Sequence, residues 1–204
     1  MLPDDLVLLS DTYGATWHDA VIVTPYYVYG FDSTEKKIWR TNGREALTII
    51  SDMKVERFLL ENTHVKETEN NPRLPDRNVK LHYNANKADV LFTYNIDNTK
   101  WNLCYNEASK TFTTFYSWLP VHFANIDDTF ITSHLGYDKE GKLRDFLWHH
   151  GRHTKFEGNP LPTYWYDKQH PFEFEFVVLN TPVHKIFDDL IIVANSAEPE
   201  SFHF

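Results

Sequence analysis

The segment VKLHYNANKADVLFTYNIDNTKWNLCYNEASKTFTTFY, residues 79–116, decides the fold class. It contains four short runs, Val79–Tyr83, Asp89–Tyr94, Trp101–Tyr105 and Thr111–Tyr116, rich in the aromatic and β-branched residues that suit a pleated surface. Polar turns separate them: Asn84–Lys87, Asn95–Thr99 and Asn106–Lys110. Four meandering strands in so short a stretch are equivalent to one propeller blade, and a meander in a β-sandwich has the same appearance.

Working outward, one turn pattern recurs: an aromatic, then Asp or Asn, three variable residues, then Lys. It occurs at Phe31-Asp32 with Lys36, Tyr105-Asn106 with Lys110, and Tyr137-Asp138 with Lys142. Recurrence of a hairpin unit is how stacked β architectures look in sequence, although the spacing is uneven and such turns arise in any β protein. The pattern points to a scaffold or binding surface. Upstream, Ala20–Val23, Tyr26–Phe31, Lys37–Arg40 and Leu47–Ile50 read as strands, with Asn42-Gly43 as a strong hairpin signal. The period then changes: Ser51 reads as an N-cap, and Val55, Phe58 and Leu59 share a helical face through Glu61. Residues 62–77, with Pro72 and Pro75, read as a surface loop.

Beyond Trp118-Leu-Pro120 the pattern loosens. Phe130–Ser133 and Arg144–His149 read as strands around the third hairpin, and Gly151–Pro162 as a loop. A fresh strand set begins near Tyr164; Phe172–Leu179 alternates Phe and Glu before turning wholly apolar, and Phe187–Ala194 repeats the theme. The expected architecture is all-β: propeller-like antiparallel blades with one short helix over residues 1–160, then a truncated second, sandwich-like β region over 161–204. Both ends read as cut, so the chain is expected to be a fragment of a longer one.

The chain has 204 residues, enough for a sizeable core, and 16% of them are aromatic. Its net charge is −9, which disfavours a phosphate backbone as partner because an acidic chain gains nothing from releasing the counterions condensed there. No apolar run approaches the ~20 residues of a membrane helix, and the start lacks a secretory signal. A single Cys, Cys104, excludes an internal disulfide and fits assembly in a reducing compartment; within Trp101–Tyr105 it reads as an ordinary strand residue rather than a nucleophile.

Chemistry-bearing residues are few. His149, His150 and His153 could suggest a metal, but helical spacing does not apply after Gly151, and adjacent strand residues face opposite ways, so they read as surface histidines on a loop. Asp4-Asp5, Asp127-Asp128 and Asp188-Asp189 read as turns or solvated strand ends rather than a glycosidase pair. Phosphate loops, dinucleotide glycines, nucleophile elbows and zinc spacings are missing from the sequence, which has only 7 Gly. Trp39, Trp118, Tyr164 and Trp165 could stack on sugar rings; as core or interface residues they need no ligand. No residue is assigned as catalytic, cofactor-binding or metal-ligating, and no cofactor is expected.

Particular stretches resemble a known family. Asp11-Thr-Tyr-Gly-Ala-Thr-Trp17, Val28-Tyr-Gly-Phe-Asp32 running on to Lys37-Ile-Trp-Arg40, Arg77-Asn-Val-Lys80 with VLFTY (90–94), Trp101–Glu107, Phe115-Tyr-Ser-Trp118 and the closing KIFDDLIIVANSAEPESFHF are similar to the stabilisation, or muzzle, proteins of crAss-like tailed bacteriophages. The resemblance covers about 11–204. It implies a non-enzymatic virion structural protein of the tail with propeller-like β domains, assembled in the host cytoplasm. Its partners would be its own copies, in a ring or tube, and other tail proteins, with no nucleic acid and no membrane. The family is far longer than this chain and carries no catalytic motif, so no site residue is transferred. The alternative is a glycan- or receptor-binding β module; a hydrolase on the same scaffold is a third reading.

Overall fold

The computed structural model describes residues 8–44, 46–64 and 79–150, and four short strands between 155 and 169. By contacts the chain divides into two units, residues 1–151 and 152–204. In the first, β1 (Val21–Val23), β2 (Val28–Asp32), β3 (Lys37–Thr41) and β4 (Thr48–Ile49) form an antiparallel meander. A second meander contains β5 (Val79–Asn84), β6 (Asp89–Ile96), β7 (Thr99–Asn106) and β8 (Thr111–Phe115). A third sheet, ordered β11-β10-β9, comprises β9 (Phe123–Ile126), β10 (Thr129–Tyr137) and β11 (Leu143–His149). The one α-helix among the described residues, α1, spans Glu56–Asn62. In the second unit, β12 (Lys155–Phe156) pairs with β13 (Asn159–Pro160), and β14 (Tyr164–Trp165) with β15 (Lys168–Gln169). The chain is thus mostly β, and no closed propeller or barrel forms among the described residues.

Alternation explains how the meanders pack. On β5–β7 the register aligns Leu81 with Phe92 and Leu103, and Val79 with Tyr94 and Trp101. These rows join Tyr29, Phe31 and Ile38 of the first meander and Leu59 of α1 in one buried core. Trp101 is its hub, stacked on Tyr94 at 5.1 Å and met edge-on by Phe31 and Phe58, each at 5.7 Å. Aromatic contacts of this geometry each add about 0.5–1.5 kcal/mol beyond area burial. Leu81 N–H donates to the Asp19 carbonyl at 2.8 Å, tying the two meanders through their backbones.

The recurring turn has a local cause. Asp32 Oδ1 accepts the N–H groups of Thr34 and Glu35, and Asn106 Oδ1 accepts that of Ser109. Lys36 and Lys110 take φ of 57° and 53°, closing the loop into the pairs Asp32–Lys37 and Asn106–Thr111. The Asx side chain supplies turn bonds that the backbone lacks. Tyr83-Asn84 builds the same turn: Asn84 Oδ1 accepts Asn86 N–H, Ala88 has φ 54°, and Asn84 pairs with Asp89. The third expected copy differs. Tyr137 pairs with Leu143, and Gly141, at φ 74°, takes the left-handed position that Lys36 and Lys110 hold in the other two.

Several expectations need correction. Ser51 does not cap α1. It opens a short 3-10 turn, and its Oγ accepts the Ile38 N–H at 3.1 Å; Val55 stands at the helix N-cap with no side-chain bond. Asn42-Gly43 is not a two-residue hairpin, because β3 ends at Thr41 and β4 begins only at Thr48. The expected turn Asn95–Thr99 shrinks to Asp97-Asn98, since Ile96 pairs with Thr99 and Asp97 accepts φ 53°. β9 was not expected at all. Asp127-Asp128 is the two-residue turn joining it to β10. Inside the expected loop Gly151–Pro162 lies the β12–β13 ladder. Asp4-Asp5, Asp188-Asp189, His153, Phe172–Leu179, Phe187–Ala194 and nearly all of 62–77 lie outside the described residues.

Candidate interaction surface

Most ionisable and polar groups with unusual surroundings are internal joints. Glu107, just past β7, is buried; its Oε1 accepts the Thr24 hydroxyl at 2.7 Å, linking the second meander to the β1–β2 turn. Glu107 Oε2 and the Tyr29 hydroxyl are buried without an aligned hydrogen bond. Burial, and then the Glu107 charge, push the Tyr29 phenol above its ordinary range and the Tyr83 phenol up to about 12. Arg40 completes the joint, its guanidinium 4.7 Å from the Tyr27 ring centre and donating to Tyr105 Oη at 3.2 Å. At the turn end of β2–β3, Lys37 Nζ meets Asp52 at 2.7 Å and Glu56 at 2.6 Å, fastening β3 to the start of α1. These carboxylates hold the ammonium protonated to about pH 12.

The outer face of the second meander is polar and yet buried. Lys80, Thr93 and Asn102 form one cross-strand row, and His82, Leu91 and Cys104 the next. Residues 116–123 run across them. Lys80 Nζ donates to the Val121 carbonyl at 2.9 Å, Asn102 Nδ2 donates to that of Trp118 at 2.9 Å, and the His82 ring meets Phe123 edge-on at 5.2 Å. Both His82 ring nitrogens are buried without a hydrogen-bond partner. Complete burial, then the Lys80 and His122 charges, lower its pKa to about 3. Cys104 is an ordinary strand residue whose thiol burial raises to about 12, which disarms it as a nucleophile.

The histidine expectation fails at His150. It lies not on a surface loop but between the rings of Trp118, at 4.7 Å, and Phe130, at 5.0 Å, with Nε2 2.7 Å from the Thr132 hydroxyl. Burial lowers its pKa to about 3. Among the described residues no group of three or more His, Cys, Asp or Glu is placed to hold a metal. Trp39 and Trp118 are buried and unavailable for sugar stacking; Tyr164 and Trp165 lie in β14. The sugar-stacking candidates are therefore not gathered in one described site. No helix among the described residues is long and apolar enough to cross a membrane.

Among the surfaces that the first unit presents outward is the β10–β11 hairpin. Tyr137 is 76% exposed, Leu143 56% and Leu147 77%. Cross-strand pairing places Tyr137 beside Leu143 and Ser133 beside Leu147, so these side chains share one face. The turn beneath them is rigidly built. Asp138 Oδ1 accepts the N–H groups of Glu140 and Lys142, and Oδ2 accepts Arg144 Nε at 2.9 Å. That guanidinium, followed by the backbone donors, holds the Asp138 carboxyl below its usual range. β11 is the outermost strand of its sheet among the described residues. Exposed large apolar side chains grouped on one face mark a contact surface, whereas single ones are ordinary.

A family model described as Crassvirus muzzle protein matches residues 4–134, well over half of the chain. The chain belongs to the Crassvirus muzzle protein family. Membership supports a structural role in a phage particle and agrees with the resemblance read from Asp11–Trp17, Val28–Asp32 and Trp101–Glu107. The match spans both four-stranded meanders of this muzzle-family chain and ends within β10. No curated protein matches the chain. The buried polar row Lys80–Thr93–Asn102 and the β10–β11 face escaped sequence reasoning. The first carried one usable signal, polar residues alternating in strands whose other face is aromatic; the second carried none.

Proposed function

We propose that this chain is a structural component of the phage tail, a stabilisation or muzzle piece, which acts by assembling with its own copies in a ring or tube and with other tail proteins rather than by catalysis. The family match over residues 4–134 carries this reading. Two features support it. Buried Glu107 and half-buried Lys37 bind element to element, and the exposed apolar side chains of β10–β11 offer a surface to a partner. The two meanders would serve as propeller-like blades of residues 1–160, with 161–204 beginning a second β region. The virion tail is then the site of action and the host cytoplasm the place of assembly.

Mass spectrometry of gradient-purified particles tests this. Peptides from residues 8–150 at a fixed ratio to the major capsid protein are expected. Their confinement to the soluble lysate would refute the assignment. A glycan-binding module would instead shift its Trp fluorescence with polysaccharide, a shift that buried Trp39 and Trp118 are not placed to give.

A further inference from the structure

Backbone hydrogen bonds fix which way each β11 residue points. His150 N–H donates to the Phe130 carbonyl at 2.9 Å, and Asp138 N–H to that of Lys142 at 2.9 Å. In the antiparallel β10–β11 ladder this makes the even-numbered pairs the hydrogen-bonded ones. Arg144, Phe146 and Trp148 therefore bond inward to β10, while Leu143, Asp145, Leu147 and His149 aim their N–H and C=O groups at the outer edge. The same four residues carry the face on which Leu143 and Leu147 are exposed. Among the described residues no strand lies beyond them. An edge that no described strand pairs with is a template for another strand.

We infer that β11 pairs with β11 of a second copy, antiparallel about a two-fold axis through Leu147. This rests on the assembly reading above and adds one pairwise contact to it. The parity is right, because a two-fold axis at an outward-bonding residue lets Leu147 exchange both backbone bonds with its counterpart. In that register Asp145 stands opposite His149 of the second copy, a pairing of an acid with a base. On the other face Phe146 stands opposite the second Trp148. Shifting the centre to Asp145 sets two like carboxylates against each other, and centring on Phe146 turns the free backbone groups away; both are excluded. The contact is isologous and closes on itself. A ring or tube needs a second, different contact. An edge of seven residues falls short of the ~800 Å² per partner of a stable complex, so the isolated pair is weak.

A covalent trap suits a weak pair. Hydrogen-bonded antiparallel partners lie about 5.5 Å apart at Cα, within the span of a disulfide. In the full 204-residue chain the sole native thiol, Cys104, is buried. Under mild oxidation with diamide, each pair of Leu147→Cys thiolates is oxidised to one S–S bond as diamide is reduced to its hydrazine. A disulfide dimer is expected for Leu147→Cys but not for Leu143→Cys, which the register places far from its counterpart. Asp145→Lys should lower the crosslinking rate about tenfold, and Asp145→Lys with His149→Glu should restore it. Equal crosslinking at positions 143 and 147, or none at 147, overturns the β11 pairing. Light scattering separates the two readings: oligomers without a 147 crosslink contradict only this contact, whereas a monomer at every concentration, together with absence from particles, contradicts assembly itself.

Discussion

At Gly30 the indole of Trp39 occupies the space a side chain would need: a Cβ there would lie 2.0 Å from Trp39 Cζ2. Trp39 pairs with Gly30 across β2–β3, and its Nε1 donates to the Gly14 carbonyl at 2.6 Å. Gly30→Ala must displace that ring, and overpacking of this kind costs about 1–3 kcal/mol, which urea unfolding at neutral pH will register. His82 and His150 give a pH dependence. Both folded pKa values, about 3, lie below the ordinary 6.5, so the unfolded chain takes up protons that the fold refuses. Stability is full above about pH 6.5 and falls as pH drops toward 3, by about 1.4 kcal/mol per pH unit for each histidine. Urea midpoints at pH 7.0 and 5.0 check the sign, and His82→Phe should flatten the slope. None of this was legible at His150, where the sequence shows only a histidine before Gly151. Its cover, Trp118, comes from a segment with no periodic pattern, and only the path of residues 116–123 brings it there.

Among the elements, the turns were the most legible, because their chemistry is local. An Asx side chain supplies backbone bonds, and the residue four positions on turns left-handed, at Lys36, Ala88 and Lys110. The fourth example, Asn84–Ala88, hid because its last residue is Ala instead of Lys. Where a non-glycine residue holds φ near +55°, glycine removes a strain of about 1 kcal/mol. Ala88→Gly and Lys110→Gly should therefore raise the urea midpoint or leave it unchanged, whereas Asp32→Ala should lower it by releasing the N–H groups of Gly14, Thr34 and Glu35. A drop for both glycine variants would show that the positive φ angles carry no strain. The helix was legible from Val55, Phe58 and Leu59, but its start was not. Ser51 satisfies the Ile38 N–H across the sheet, a long-range bond that a capping rule cannot foresee. β9 escaped because Phe123-Ala-Asn-Ile126 shows neither period clearly.

For the molecule as a whole, strand order within each meander followed from chain order, since short turns force neighbours to pair. What the sequence could not show is the second layer on β5–β7. Alternation assigns Lys80, His82, Thr93 and Asn102 to a solvated face. The structure buries them beneath residues 116–123, where the Lys80–Val121 and Asn102–Trp118 bonds replace water. With these polar groups spent on an internal joint, the exposed apolar side chains of β10–β11 remain as a surface for contact. A density map of the intact phage tail, at a resolution that separates strands, tests the structural assignment most directly. The account expects the meanders β1–β4 and β5–β8 to fit the tail density in repeated copies. A complete tail map with no density that accepts them would contradict it.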